Sequence, residues 1–291
     1  MTHHEQSHAE AGLGPPEPDP ALGSDFRLRL LWGFGMAAVV AAFVFSGMIA
    51  FSVLVVMVAL LVSWEWSRLV QGPGADIVLA VHLAAAFAAA VLAAFGYVGL
   101  GLLALSIGAI LTVVLSLGHN SVYAAIGVFY AGLPAIALIW LRSDVAFGLL
   151  AVVFLITGII AADTAAFLSG RLLGGPKLWP RLSPNKTWAG LIGAVLASTV
   201  VGAWFWLVVP GASPLWLAAM AAVLGLISQI GDLAESALKR HFGVKDSSHL
   251  IPGHGGIMDR VDGLVAAASA AGLIGMAINV HSPARALLLG W

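Results

Sequence analysis

The amino-acid sequence predicts an all-α protein: a polytopic bundle of about nine transmembrane helices, with eight as the alternative count. Three observations predict this fold class. Hydrophobic residues make up 60% of the 291 positions and mean hydropathy is +1.01, which is more apolar surface than a soluble domain of this length can bury. The apolar residues form runs of about 20, the length that a helix needs to cross a bilayer. Charged residues are only 9% of the chain and lie mostly between these runs.

The predicted spans follow from the apolar windows between charged residues, glycine and proline. Only Ser46 and Gly47 separate the first two windows, which leaves eight spans as the alternative. The first 25 residues contain no Lys or Arg and are rich in Pro, Glu and Asp, so we expect a disordered tail there. The nine windows lie near residues 27–46, 48–64, 76–95, 97–117, 122–141, 145–168, 188–209, 214–232 and 263–281.

The basic residues predict the orientation of these spans. With the N-terminus inside, Arg142 and Arg285 are the two of the 13 Lys and Arg residues that fall on the outer side. Short loops rich in Lys and Arg stay in the cytoplasm. The sequence therefore predicts an integral protein of the cell (inner) membrane, with loops 169–187 and 233–262 on the cytoplasmic face.

Charge is concentrated near the end of the second of these loops and in the helix before it. Residues 231–263 hold a third of all charged side chains, in about a ninth of the chain. At 3.6 residues per turn, Ser228, Asp232, Glu235, Ser236 and Lys239 form one stripe of a helix. The stripe faces either a polar partner or, as the alternative, only its own ion-pair ladder between Asp232, Glu235 and Lys239.

A glycine-rich loop and two carboxylates follow in the segment PGHGGIMDRVDG, which ends at Gly263. Glycine allows the backbone to approach a ligand closely. Asp259 and Asp262 are three residues apart, on one face of a first helical turn, where acidic residues also suit the helix dipole. Beside Asp232 these carboxylates would repel one another unless they share a cation, and oxygen-only ligands suit Mg²⁺.

The preceding loop offers a third polar element. Asp163 lies inside an otherwise apolar span, where an ionisable residue indicates a functional site. Arg171, Lys177 and Arg181 follow, and positive-inside topology alone is an equal explanation for these three. The run SPNKTW at 183–188 then places Lys186 at a predicted helix N-terminus, which is a ready phosphate site. Carboxylates, cations and a glycine loop on one face of the membrane indicate phosphoryl or nucleotidyl transfer on a lipid phosphate.

These motifs resemble those of the phosphatidate cytidylyltransferases, also called CDP-diacylglycerol synthases. The family signature has fixed Ser, Lys-Arg, Lys-Asp, Pro-x-His-Gly-Gly and Asp-Arg-x-Asp positions, and SALKRHFGVKDSSHLIPGHGGIMDRVD, residues 236–262, matches all of them. An Asp-Thr pair at 163–164 and a Gly-Arg pair at 170–171 also agree. The resemblance covers residues 160–265. We therefore predict N-terminal transmembrane helices over residues 26–143 and a transmembrane catalytic region with its cytoplasmic loops over residues 144–291.

The resemblance implies transfer of a cytidylyl group from CTP to phosphatidic acid, giving CDP-diacylglycerol and pyrophosphate. It implies Mg²⁺ with room for a second cation, a homodimer in the lipid bilayer, and no nucleic-acid partner. Carried over by position, the metal ligands are Asp232, Asp259 and Asp262, and these act in catalysis with Lys239 and Arg240. The implied substrate-binding residues are Asp163, Arg171, Ser183, Lys186, Thr187, Ser236, Lys245, His254, Gly255, Gly256 and Arg260.

The sequence departs from the family in one run, and other functions stay open. The family has Ser-Pro-Lys-Lys-Thr-Trp-Glu-Gly where this chain has SPNKTWAG, so Asn185 replaces a lysine and Ala189 a glutamate. The nearest alternative is a CTP-dependent kinase of dolichol or phytol, which would need a general base for a neutral hydroxyl. A transporter is the more distant alternative, with Asp163 lining a permeation path.

Overall fold

The computed structural model describes residues 20–72, 76–116, 118, 120–248, 250 and 255–291, without the side chains of residues 20–32 and 76. The predicted all-α bundle is confirmed. Its elements are α1 Pro20–Phe45, α2 Met48–Gln71, α3 Asp76–Ala94, α4 Val98–Leu115, α5 Ser121–Arg142, α6 Gly148–Leu172, β1 Lys177–Trp179, β2 Ser183–Thr187, α7 Trp188–Trp204, α8 Pro214–His241, α9 Met258–Ile278 and α10 Pro283–Leu289.

Eight of these helices, α2 to α9, are long and apolar enough to cross a membrane, counted over the described residues only. The one predicted span that is not among these eight is the first, residues 27–46, which falls in α1. The described apolar part of α1 is the shorter stretch Gly33–Phe45. The predicted turn between the first two spans is present, since α1 ends at Phe45 and α2 begins at Met48. Helix α1 begins at Pro20, so residues 20–25 of the predicted tail are helical. The rest of that tail, residues 1–19, lies outside the described residues.

Both predicted loops are shorter than the sequence indicated. Helix α6 continues to Leu172, and residues 177–187 form a small antiparallel hairpin that pairs Lys177 with Thr187 and Trp179 with Ser183. Helix α8 continues to His241 because its polar residues have helical propensity and its stripe finds partners on neighbouring elements. It ends in a turn in which the Val244 N–H donates to the Lys239 carbonyl at 2.9 Å. The loop before α9 is thus only residues 242–257.

Two large hydrophobic clusters form most of the core. One is built by α2 to α5 with part of α6, and the other by α6, α8, α9 and α10. A smaller third cluster joins α2, α5 and the start of α9. Helix α9 packs against both α5 and α8, so it joins the two clusters. Small residues allow close approach of the helices at Gly127 and Gly193, which pack against Trp66 and Ser169. In a bilayer such van der Waals packing, rather than hydrophobic burial, drives helix association.

We predict that Gly202→Ala destabilises the α7–α8 contact. A methyl group at Gly202 would collide with the Ala221 side chain and the Leu217 carbonyl oxygen, and overpacking of this kind costs about 1–3 kcal/mol. The matched control is Gly99→Ala in α4, where a Cβ meets nothing within 4 Å. Thermal unfolding of the purified protein in detergent should show a lower midpoint for Gly202→Ala alone. Equal midpoints for the two variants would contradict the described packing.

Candidate active site

A cluster of three carboxylates lies where α8 and α9 meet. Asp232 and Glu235 come from the polar stripe of α8, and Asp262 comes from the first turns of α9. Each offers one oxygen, and these oxygens lie within 4.8 Å of one another. Glu235 is buried, and its Oε1 has no hydrogen-bond partner among the described residues. Like charges at such distances need a shared cation or bound protons, and an all-oxygen set fits a hard divalent ion such as Mg²⁺.

Lys239 connects this cluster to the glycine-rich loop. Its Nζ lies 3.1 Å from Glu235 Oε2, one turn earlier on α8, and 2.6 Å from Asp259 Oδ1 on α9. The Lys239 side chain is largely buried. One ion pair of the alternative predicted for the stripe is therefore present, between Lys239 and Glu235. Lys239 also pairs with Asp259 of α9, so the ion pairs are not confined to α8.

Asp259 is the centre of a second set of hydrogen bonds. Its Oδ2 accepts from the Gly256 N–H at 2.8 Å, and from the Ser247 N–H and hydroxyl at 3.0 Å each. Together with Lys239, these donors occupy the carboxylate that the sequence assigned to a metal. Asp259 thus lies beside the group of three rather than within it. Its role as a metal ligand stays a prediction, whereas Glu235 is an acidic group that the predicted ligand set left out.

A polar cavity of about 590 Å³ opens next to the cluster, between α6, the hairpin, α7 and α8. Asp232 lines this cavity as well as the cluster, and the Lys186 Nζ lies 2.5 Å from its Oδ2. The Thr187 Oγ1 accepts from the Gly190 N–H at 3.0 Å and so caps α7, as expected for a residue entering a helix. Other polar lining residues are Asp163, Arg171, Lys177, Asn185 and Gln229.

The structure explains why Asp163 is tolerated in an apolar helix. Its side chain is exposed to the cavity, and its Oδ1 accepts from the Gln229 amide at 2.8 Å. Lys177 reaches the same cavity because the hairpin register places it opposite Thr187. The sequence did not single out Gln229, since a lone glutamine in an apolar window carries little signal before its partner is known.

The remaining predicted site residues lie at the same end of the bundle with weaker links to the cluster. Ser236 Oγ lies 3.5 Å from Asp232 Oδ1, and Arg240 donates to the Val244 carbonyl at 3.4 Å. Arg240, Lys245 and Arg260 are exposed, whereas Gly256 is buried in the loop. Ser183 begins β2, and Gly255 adjoins Asp259. His254 lies outside the described residues.

One buried acid at this end comes from the N-terminal half. Glu65 of α2 is fully buried and accepts hydrogen bonds from Ser247, Ser248, Ile257 and Met258. The sequence analysis assigned it no role. The signal that singled out Asp163, an ionisable residue within an apolar span, applies equally to Glu65 in the run VSWEWS.

Sequence comparisons relate this chain to known proteins. The phosphatidate cytidylyltransferase of Brucella suis biovar 1 (strain 1330) is 50% identical over 153 residues, which are 53% of this chain and 57% of the relative. That of Staphylococcus saprophyticus subsp. saprophyticus is 40% identical over 144 residues, 49% of this chain and 54% of the relative. The chain thus spans little more than half the length of the curated relatives it matches. The profile of the cytidylyltransferase family matches residues 27–276. With a match over most of its length, the chain belongs to the cytidylyltransferase family.

Proposed function

We propose that this protein transfers a cytidylyl group from CTP to phosphatidic acid, giving CDP-diacylglycerol and pyrophosphate. The observation that carries the proposal is the double placement of Asp232, which lies in a cluster of three carboxylates and also lines a cavity rich in cations. The reaction must bring together two polyanions, CTP and phosphatidic acid. The carboxylate cluster supplies a place for a divalent cation, and the neighbouring cavity supplies cationic side chains for phosphates. The names of the relatives give the substrates.

The bond changes require little of the protein beyond placement and charge. A phosphate oxygen of phosphatidic acid forms a bond to the α-phosphorus of CTP, and the bond from that phosphorus to the bridging oxygen of the β-phosphate breaks. Pyrophosphate carries away the electron pair. The attacking phosphate is already an anion, so no general base is needed, in contrast to a lipid kinase that must deprotonate a hydroxyl.

Asp232, Glu235 and Asp262 are the residues that would hold Mg²⁺. When bound, the ion neutralises charge on the phosphate oxygens as it develops. Glu235 thereby joins the ligand set in place of Asp259, whose carboxylate orders the loop and Lys239. A second cation stays a prediction from the family resemblance; among the described residues, one acidic group of three is present.

The cations of the cavity hold the phosphates of the nucleotide. Lys186 precedes α7 and pairs with Asp232. A bound triphosphate would take the place of the Asp232 carboxylate as the anionic partner of Lys186. Arg171 and Lys177 add positive charge along the lining. Thr187, Ser183 and the backbone at Gly255 offer donors nearby, and Asp163 and Gln229 offer polar contacts for the base or ribose. Arg240, Lys245, Arg260, Ser236 and His254 complete the proposed substrate contacts.

We also place this end of the bundle at the cytoplasmic face of the cell (inner) membrane. Eight of the 13 Lys and Arg residues, those within 171–187 and 239–260, lie at this end, which supports that orientation. CTP is then reached from the aqueous side and phosphatidic acid from the adjoining leaflet. The homodimer stays a prediction from the family resemblance.

The first prediction tests the reaction. Purified protein given labelled CTP and phosphatidic acid should form a CDP-lipid and pyrophosphate, only when Mg²⁺ is added. Asp232→Asn should abolish the product, because it removes charge from both the cluster and the Lys186 pair. A diacylglycerol or polyprenol substrate should remain unconverted. Formation of a lipid phosphate and CDP would instead establish the kinase.

The second prediction concerns the cation. We expect Mg²⁺ or Mn²⁺ to raise the thermal unfolding temperature of the wild type, because a ligand that binds the folded state stabilises it. Asp262→Asn should remove this shift, whereas Asp246→Asn, at an exposed acid outside the cluster, should keep it. Asp259→Asn separates the two assignments: a retained shift supports the set with Glu235, and a lost shift supports Asp259 as a ligand.

The third prediction concerns the departure at residue 185. Asn185 lines the cavity beside Lys186, so Asn185→Lys restores the family's second cation where a triphosphate would lie. We expect unchanged or higher activity and an unchanged or lower KM for CTP. Asn185→Asp is the matched opposite and should raise KM. A severe loss in Asn185→Lys would mean that the cavity does not hold the phosphates.

A further inference from the structure

Glu65 is joined to the glycine-rich loop by hydrogen bonds from four residues. Its Oε1 accepts from the Ser248 hydroxyl at 2.6 Å and the Ile257 N–H at 2.8 Å. Its Oε2 accepts from the Met258 N–H at 2.6 Å and the Ser247 hydroxyl at 3.1 Å. The donors lie 182 to 193 residues later in the chain. Glu65 is fully buried, so these donors replace the hydrogen bonds that water would make to its two oxygens. A buried carboxylate is stable only when such hydrogen bonds are made.

These contacts do for α9 what an N-cap side chain normally does. The N-cap residue of α9 is Ile257, which makes no side-chain cap. Helix N-termini have unsatisfied N–H groups and favour a nearby negative charge. Glu65 supplies that charge from another helix by accepting the N–H groups of Ile257 and Met258. The start of α9, and therefore the direction in which Asp259 and Asp262 leave it, depends on α2.

The glycine at position 256 fits the same account. A Cβ there would lie 2.6 and 2.8 Å from the two Glu65 oxygens, closer than side-chain atoms normally approach. The Gly256 N–H meanwhile donates to Asp259. The backbone at Gly256 is thus held between Glu65 on one side and Asp259 on the other. Ser247 contacts both carboxylates: its N–H donates to Asp259, and its single hydroxyl hydrogen is shared between Asp259 and Glu65.

We infer that Glu65 is a positioning residue for the transfer reaction. By holding the loop, it places Asp259 to accept a hydrogen bond from Lys239. It also places Asp262 beside Asp232 and Glu235. The inference rests on the proposed function. Glu65 does not line the 590 Å³ cavity, so its effect reaches the reaction through the loop and α9. Loss of its hydrogen bonds misplaces the carboxylate cluster while leaving the nucleotide cavity intact.

The test uses Glu65→Gln in the purified full chain, with Ser63→Ala as the matched control. Gln keeps the size of the side chain but removes the charge and half of the acceptors. Ser63 is also buried on α2, and its hydroxyl has no hydrogen-bond partner among the described residues. We expect kcat for CDP-lipid formation to fall at least about tenfold and KM for CTP to change less than about threefold, since misplacement affects the chemical step. Ser63→Ala should match the wild type.

Hydrogen exchange supplies a readout that does not depend on activity. In Glu65→Gln the amides of Ile257 and Met258 should exchange faster than in the wild type, while those of α3 and α4 stay unchanged. Ser248→Ala removes one hydrogen bond to Glu65 without altering α2, so it should give a smaller change in the same direction. This variant keeps the inference testable if Glu65→Gln fails to fold.

The outcomes separate the two claims. Unchanged exchange at residues 257 and 258 would overturn the anchoring role, and faster exchange with unchanged kcat would overturn its importance for the reaction. A wild type that forms no CDP-lipid would overturn the proposed function, and the exchange data would still decide whether Glu65 holds the loop. A rise in KM for CTP with constant kcat would place Glu65 in nucleotide binding and also contradict the inference.

Discussion

Carboxylates gathered at one end of an apolar bundle must each be matched by a cation or by hydrogen-bond donors. Asp232, Glu235 and Asp262 lie close enough to repel one another, and Asp259 and Glu65 lie in the adjoining layer. Leaving such groups unpaired away from water would cost several kcal/mol each. Neighbouring helices, the hairpin and the glycine-rich loop supply these acids with hydrogen-bond donors or cationic side chains. The exception lies within the cluster of three, where a metal ion would bind.

The result is a continuous series of charged and hydrogen-bonded contacts across the bundle. Glu65 of α2 holds the loop, the loop and Lys239 hold Asp259, and Lys239 also pairs with Glu235. From the other side, Lys186 after the hairpin pairs with Asp232. Hydrogen bonds to charged groups contribute about 1.5–3 kcal/mol each, so these contacts add to the packing that fixes the mutual placement of α2, α8 and α9.

The division of labour between the two sites follows from their surroundings. The cluster lies between α8 and α9, with Glu235 buried and Asp232 and Asp262 partly exposed. The Glu235 Oε1 has no hydrogen-bond partner among the described residues, so no donor there competes with a metal ion for it. The cavity is open, with exposed Asp163, Arg171 and Lys177 and space of about 590 Å³, which suits a nucleotide that must enter and leave. Asp232 and Lys186 lie between them, so in the proposed reaction charge on bound phosphates would act directly on charge in the cluster.

The sequence by itself determined the membrane bundle and most helix positions, and it predicted a polar site in the C-terminal part of the chain. Apolar runs of bilayer length, with a third of the charged side chains in residues 231–263, leave few alternatives for the fold. The spacing of Asp232, Glu235 and Lys239 already placed them on one face of α8. Only the tertiary structure decided which acids lie close together, because distances across α8 and α9 depend on the rotation of each helix. The same holds for Glu65: its partners lie more than 180 residues away, and local sequence patterns carry no information about contacts over that separation.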